Sequence, residues 1–326
     1  LGGVDPRGHA IADATDAALL GALAIAGRED AERWGAERAR VAFVAMGRYG
    51  GRECSYASDA DVIALHEAVG GASDSEAAAS ATAIVNRVKK LLGSATSQLG
   101  IVVDLDLRPE GKNGPMSRTI ASHEEYAQRW ASTWERQAAV RARPIGDGEL
   151  AQAARSLFES MAYRDVSEAE VRDIRLLKAR MENERLPRGT EPARHVKLGP
   201  GGLSDVEWTI QLIQMRHGRE VEALRTSSTT DAIAAARDAG LLGASDAEIL
   251  LNAWDLATRI RAGNTLATGR MSGVKLDVVP RDSAELGALA AILGYGSGGL
   301  TALEEDWLRA ARQARDVMER AFWEQQ

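Results

Sequence analysis

Four aspartates in two Asp-x-Asp pairs, Asp59 with Asp61 and Asp104 with Asp106, are the residues of this sequence best suited to chemistry. Side chains two positions apart on a strand share a face, so each pair would hold its carboxylates close together. Neighbouring carboxylates repel unless a cation neutralises them. The hard ions Mg²⁺ and Mn²⁺ prefer oxygen ligands, and Mg²⁺ usually takes one or two carboxylates plus substrate phosphates. Upstream of Asp59 lies Gly50-Gly51, whose lack of side chains would let backbone N–H groups approach an anion. If one carboxylate of the later pair meets Asp59 and Asp61 across a sheet, a two-metal centre results. Such a centre clamps the attacking and leaving oxygens of a phosphoryl-type displacement. Simpler readings compete: a glycine pair is often only a turn, and Asp-x-Asp at a strand start only a solvated edge.

The elements that must carry these residues are few. Val41–Met46, Asp61–Leu65 and Ile101–Leu107 read as short apolar strands, the third stopped by Pro109, with Val103, Leu105 and Leu107 on the face opposite the acidic pair. Arg194–Leu198 is a shorter strand candidate before a Gly-Pro-Gly-Gly turn. Elsewhere the pattern is helical. Ile84, Val88, Leu91, Leu92, Ala95 and Leu99 recur at three- and four-residue steps, as do Leu250, Trp254, Ala257 and Arg261. The same rhythm runs through Leu300, Leu303, Trp307, Ala311, Ala314, Met318 and Phe322. These stripes predict a helical lead-in over 1–40, an α/β domain over 41–150 and a mostly helical domain over 151–326.

Composition narrows the class. The 326 residues carry 40 basic and 47 acidic side chains, a net charge of −7, which argues against a general nucleic-acid or membrane-surface binder. With 45% apolar and 27% charged residues the chain has ordinary globular usage. No apolar run is expected to approach the roughly 20 residues of a bilayer-spanning helix. The single cysteine, Cys54, excludes an internal disulfide and a multi-thiolate metal site. Beginning at Leu-Gly-Gly with no basic-plus-apolar leader, the chain reads as a fragment of a longer cytosolic protein, and its final helix reads as a natural C-terminus.

Other polar residues have structural readings. Tyr126, Trp130 and Trp134, four apart, are expected on one helix face in the core. Glu135, Arg141 and Arg143 read as an ion-pair network behind the site. His66, His123, His195 and His217 show no metal spacing. Arg108 and the loop 110–119 could contact nucleotide or protein substrate, or merely connect elements. Lys197 with Gly201-Gly202 could form an anion-binding turn, but capping by Ser204 with Glu207 three residues on is the preferred reading.

The order Gly-Gly, then Ser58-Asp59-Ala60-Asp61, then a strand bearing Asp104 resembles the polymerase-β-like nucleotidyltransferase superfamily. The longer strings are more specific. Gly47-Arg-Tyr-Gly-Gly-Arg-Glu53, Val103-Asp-Leu-Asp-Leu-Arg-Pro109, Trp134-Glu-Arg-Gln-Ala138 with Arg141-Ala-Arg143, and Lys197-Leu-Gly-Pro-Gly-Gly-Leu-Ser-Asp-Val-Glu207 together resemble the glutamine synthetase adenylyltransferase family. The wording is closest to the C-terminal, adenylylating half of actinobacterial members; the other half removes AMP by phosphorolysis. The resemblance implies an α+β fold, a nucleotidyltransferase domain with a small mixed sheet followed by a helical bundle. It implies a cytoplasmic enzyme that transfers AMP from ATP to a tyrosine of glutamine synthetase, with a PII-type signal protein as a further partner and neither nucleic acid nor membrane. Carried onto this chain, Asp59, Asp61 and Asp104 would be catalytic and would bind two Mg²⁺ ions (or Mn²⁺), with Asp104 as proton acceptor. Gly50, Gly51, Ser58 and Arg48 would hold the nucleotide. Two positions depart from the family's pattern: Arg48 stands where many members have Lys, and Asp106 where several have Arg. Asp106 is therefore expected to pair with a nearby Arg and leave metal binding to Asp104.

Overall fold

A computed structural model describes residues 6–56, 58–93, 100–296 and 299–324. The chain divides into two compact bodies, one formed by Pro6–Cys54 and Ser58–Arg164, the other built from Asp165 onward.

The first body is mixed α+β. Its elements run α1 (Pro6–Trp34), β1 (Ala39–Ala45), a single helical turn α2 (Gly47–Gly50), β2 (Ala60–Ala68), α3 (Asp74–Leu92), β3 (Val103–Asp104), β4 (Ser117–Arg118), α4 (Ile120–Arg129), α5 (Thr133–Ala139), β5 (Arg143–Pro144) and α6 (Glu149–Ala162). The five strands form one small mixed sheet ordered β3-β2-β1-β5, with β4 also paired to β2. β1 and β2 are antiparallel, from Ala39 opposite Ala68 to Ala45 opposite Val62. β3 and β4 both run parallel to β2.

β1 and β2 are apolar almost throughout because both faces are covered. Phe43, Val62 and Leu105 share a core with Ile84, Val85 and Val88 of α3. α3 starts at a reciprocal cap, Ser73 with Glu76, and turns its three- and four-step stripe inward. Leu91 and Leu92 pack at the edge of that core, while Ala95 and Leu99 lie outside the described residues.

α1 corrects one expectation: by length and composition alone it is apolar enough to cross a membrane. In this fold Ala12, Leu19, Ala22 and Ala26 are buried in the core. Glu29 on the same helix takes both ends of the Arg87 guanidinium of α3, at 2.6 and 2.9 Å.

The third strand is shorter than alternation predicts. It ends at Asp104, whose Oδ1 accepts the Asp106 N–H at 2.7 Å. An aspartate that captures the amide two residues on makes a turn, so Asp106 leaves the strand instead of sharing a face with Asp104. The Trp reading also fails: Trp130 is 73% and Trp134 43% exposed. The helix breaks between them, where Ser132 and Glu135 cap α5, so the four-residue spacing is not continuous.

The second body is helical: α7 (Glu168–Glu184), α8 (Leu203–His217), α9 (Thr229–Asp238), α10 (Ala244–Thr268), α11 (Ser283–Ile292) and α12 (Gly299–Met318). Leu250, Trp254 and Ala257 meet Leu303, Trp307, Ala311 and Ala314 in one core, as the stripes predict. Leu300 is half exposed instead, and Arg261 pairs with Asp277 at 2.5 Å. The strand expected over Arg194–Leu198 is reduced to an isolated bridge, His195 to Val278.

The Gly-Pro-Gly-Gly-Leu-Ser-Asp motif packs this body. Gly201 has φ +72°, and a Cβ there would lie 1.7 Å from the Ala311 carbonyl oxygen. Asp205 accepts the Gly201 N–H at 2.7 Å and the Lys178 ammonium at 2.5 Å, and Arg315 reaches it at 3.1 Å. Glu182 completes a four-charge network joining α7, α8 and α12. Buried charges need such mutual pairing, because losing one partner strands the other. The capping reading of the α8 start does not survive. Gly202, not Ser204, is the N-cap, and the Leu203 and Ser204 N–H groups are used by the Val196 and Lys197 carbonyls.

Candidate active site

Asp61 and Asp104 are register partners on the parallel strands β2 and β3. Neighbouring strands lie about 4.8 Å apart and register partners point to the same face, so the two carboxylates stand side by side. Both are half-buried, whereas Asp59 is exposed and Ser58 half-buried. β2 begins at Ala60, so Asp59 lies outside the pleated segment and the same-face rule does not reach it. No group of three His, Cys, Asp or Glu able to hold a metal ion is assembled among the described residues. The donors present at Asp61 and Asp104 are carboxylate oxygens, the type Mg²⁺ and Mn²⁺ select.

The turn after β1 stands over this pair. Met46 N–H donates to the Asp61 carbonyl at 2.9 Å. Gly47 has φ +53°, and a Cβ there would lie 3.1 Å from Asp61 Oδ2. Glycine at 47 thus lets the carboxylate lie against the turn. Gly50 is required more strictly, since a Cβ would fall 1.9 Å from the Arg141 carbonyl oxygen. The N–H groups of Gly50 and Gly51 donate to Met46 and Gly47 carbonyls at 2.8 and 3.2 Å. Those two amides take part in folding the turn.

Arg141 and Arg143 fix the turn from behind. Arg141 Nε donates to the Gly47 carbonyl at 3.1 Å, and its Nη2 pairs with the buried Glu53 carboxylate. Arg143 Nε donates to the Gly50 carbonyl at 3.1 Å while Nη1 and Nη2 bind both oxygens of Asp16 on α1, at 2.7 and 3.0 Å. Tyr49 completes the knot, its hydroxyl donating to Asp16 at 2.5 Å, and burial with this bond pushes the phenol well above its ordinary range. Glu135 is not part of the network. It accepts from the Tyr126 hydroxyl at 2.7 Å and caps Ser132.

Arg48 is half-buried on the turn. Burial raises the Cys54 thiol to about 11, with Arg48 and Arg143 opposing and Asp16 and Asp61 adding to the shift. A neutral buried thiol is no nucleophile at pH 7. Asp106 is held by Lys112 at 3.2 Å and faces Arg108 at 3.9 Å, as expected of a structural partner. Arg108 itself is buried and donates to the Leu105 carbonyl at 2.8 Å, so it pins the loop.

Two of the histidines, His66 and His123, are structural. His66 bonds Ser117 at 2.9 Å across β2 and β4. His123 is packed edge-on against Phe158, and burial lowers it to about 4. Sequence reasoning missed Asp16, Tyr49, Glu53 and Gly47 as supports of the site. Asp16 is one of several acidic residues on α1, so nothing local singles it out.

The family described as glutamate-ammonia ligase adenylyltransferase matches residues 9–157, and that described as GlnD PII-uridylyltransferase matches residues 175–322. The bifunctional glutamine synthetase adenylyltransferase/adenylyl-removing enzyme of Streptomyces coelicolor is 45% identical over 324 residues, 98% of this chain and 32% of the relative. Those of Bifidobacterium longum subsp. infantis and Cutibacterium acnes are 44% and 41% identical, over 97% and 99% of this chain and 30% and 32% of the relatives. The chain belongs to the glutamate-ammonia ligase adenylyltransferase family. It spans about a third of the length of these relatives.

Proposed function

We propose that the chain is a nucleotidyltransferase of the polymerase-β-like superfamily that moves AMP from ATP onto a tyrosine hydroxyl of glutamine synthetase, releasing pyrophosphate. The observation that carries this reading is the register of Asp61 with Asp104 beneath the Gly47–Gly51 turn. The relatives' names supply the acceptor and the nucleotide chemistry. Their full activity includes AMP removal, and the same carboxylates would serve both directions.

In the forward reaction a bond forms between the tyrosine oxygen and the α-phosphorus while the bond from that phosphorus to the bridging oxygen of pyrophosphate breaks. A tyrosine hydroxyl has a pKa of about 10 and must lose its proton to attack well. Asp104 is the acceptor for that proton, being half-buried beside Asp61. Asp59, Asp61 and Asp104 are the residues that would hold Mg²⁺ or Mn²⁺. Bound there, the ions would supply charge neutralisation at the departing pyrophosphate and acidify the attacking hydroxyl. Arg48 and Ser58, with the Gly50-Gly51 turn, would orient the triphosphate. Arg141 and Arg143 orient the turn without touching substrate. The helical body, similar in sequence to part of PII-uridylyltransferases, is where a PII-type protein would dock. A cytoplasmic location accords with such partners.

The test is incubation of the chain with glutamine synthetase, Mg²⁺ and ATP labelled in the α-phosphate. Label on glutamine synthetase is the expected result. Release of ADP from pre-adenylylated glutamine synthetase and phosphate, with no forward transfer, would assign the removing reaction instead. Binding of glutamine synthetase with neither reaction would make the chain a docking module and overturn the reading.

A further inference from the structure

The helical body contains a cavity of about 460 Å³ that nucleotidyl transfer does not use. That volume is typical of small-molecule sites, which run from roughly 300 to 1,000 Å³. Arg185, His195, Lys197, Ser204, Glu207 and Trp208 line it.

His195 is 1% exposed, and its Nδ1 accepts the N–H groups of Lys197 at 3.3 Å and Leu198 at 3.1 Å. A ring nitrogen that accepts carries no proton, so the proton of the neutral ring sits on Nε2. Burial keeps the ring neutral by lowering its pKa. Among the described residues no group accepts from Nε2, and this nitrogen is not one of the sealed side-chain atoms lacking a partner. Nε2 is thus left without a partner on a residue that lines the cavity.

Charge points the same way. The exposed Arg185 and Lys197 side chains have no ion-pair partner among the described residues. Asp277, also on the wall, is held by Arg261 at 2.5 Å, which leaves Glu207 as the one lining carboxylate set against two cations. The start of α8 contributes no donors here, because the Leu203 and Ser204 amides are used by the Val196 and Lys197 carbonyls.

We propose that this cavity binds a small organic oxyanion, its phosphate or carboxylate group taken by Lys197, Arg185 and the His195 Nε2–H, its carbon frame lying against Trp208. The site is built from residues of the helical body alone, and its test does not depend on AMP transfer.

Calorimetric titration of the whole chain with phenyl phosphate, and separately with phenylacetate, is the experiment. Saturable binding of at least one is expected, and which one binds assigns phosphomonoester or carboxylate chemistry. The double variant Arg185→Met with Lys197→Met should weaken binding by about tenfold or more, given the strength of charge-assisted hydrogen bonds. His195→Asn retains an oxygen for the two amides but loses the Nε2 donor, and should weaken binding, measured at a temperature where its melting curve shows the variant folded. No saturable heat with either compound up to about 10 mM, well past the range of specific recognition, would overturn the proposal. So would unchanged affinity in the double variant, whose two positions are exposed and leave the fold intact.

Discussion

Arg143 on β5 grips the Asp16 carboxylate of α1 with both ends of its guanidinium, at 2.7 and 3.0 Å. The same guanidinium holds the Gly50 carbonyl, so a helix at the start of the chain is tied directly to the turn above the carboxylates. Breaking a largely buried ion pair from one side costs about 3 kcal/mol. Asp16→Ala should therefore lower the urea midpoint by a corresponding amount and reduce AMP transfer. Arg143→Lys should keep part of the stability and lose most of the activity, because a single ammonium cannot hold both Asp16 and Gly50.

Asp61→Asn and Asp104→Asn remove charge without changing shape. Each should reduce AMP transfer by roughly 10²–10³-fold or more, the scale of losing a major electrostatic contributor, with an unaltered circular dichroism spectrum. Asp59→Asn should behave likewise if ion binding draws that exposed side chain to the pair. Full metal-dependent activity in the Asp59 or Asp61 variant would defeat the assignment.

Two glycines of one turn should respond differently. Gly50→Ala forces a Cβ to 1.9 Å from a backbone oxygen, so the first body should fail to fold or melt far lower. Gly47→Ala meets a φ of +53° and a carboxylate oxygen at 3.1 Å. Its cost in stability is about 1–2 kcal/mol for the left-handed backbone, while displacement of Asp61 should cost activity out of proportion. Melting curves and transfer rates on the same preparations separate the two.

His123 makes stability depend on pH. Its folded pKa of about 4 lies below the ordinary histidine value of 6.5, so the unfolded chain binds the extra proton between those limits. Stability is complete above pH 6.5 and falls as pH drops toward 4, by about 3 kcal/mol from this group. Urea titrations at pH 7 and pH 4.5 should show the loss, and His123→Phe, beside Phe158, should remove this part of it.

Much of this arrangement is legible in the residues themselves. β1 and β2 follow from their apolar runs, and the partnership of Asp61 with Asp104 follows from acidic residues at strand ends near a glycine turn. What misleads is local competition for the backbone. Asp104 captures the Asp106 amide and cuts a seven-residue strand to two, and Ser132 with Glu135 breaks the helix that would have aligned Trp130 and Trp134. What stays hidden is pairing at long range. Nothing near Arg143 in sequence announces Asp16, which lies 127 residues earlier. The glycine pair is legible as a turn, but the bonds its amides make within that turn are not.

The close meeting of Gly201 with Ala311 has a bearing on natural variation. Any side chain at 201 would drive two main chains apart, so isolates from different habitats should never differ there. Pro200, exposed beside it, is free to drift. Strain surveys could thus map which parts of this chain are closed to evolutionary tinkering, without a single assay.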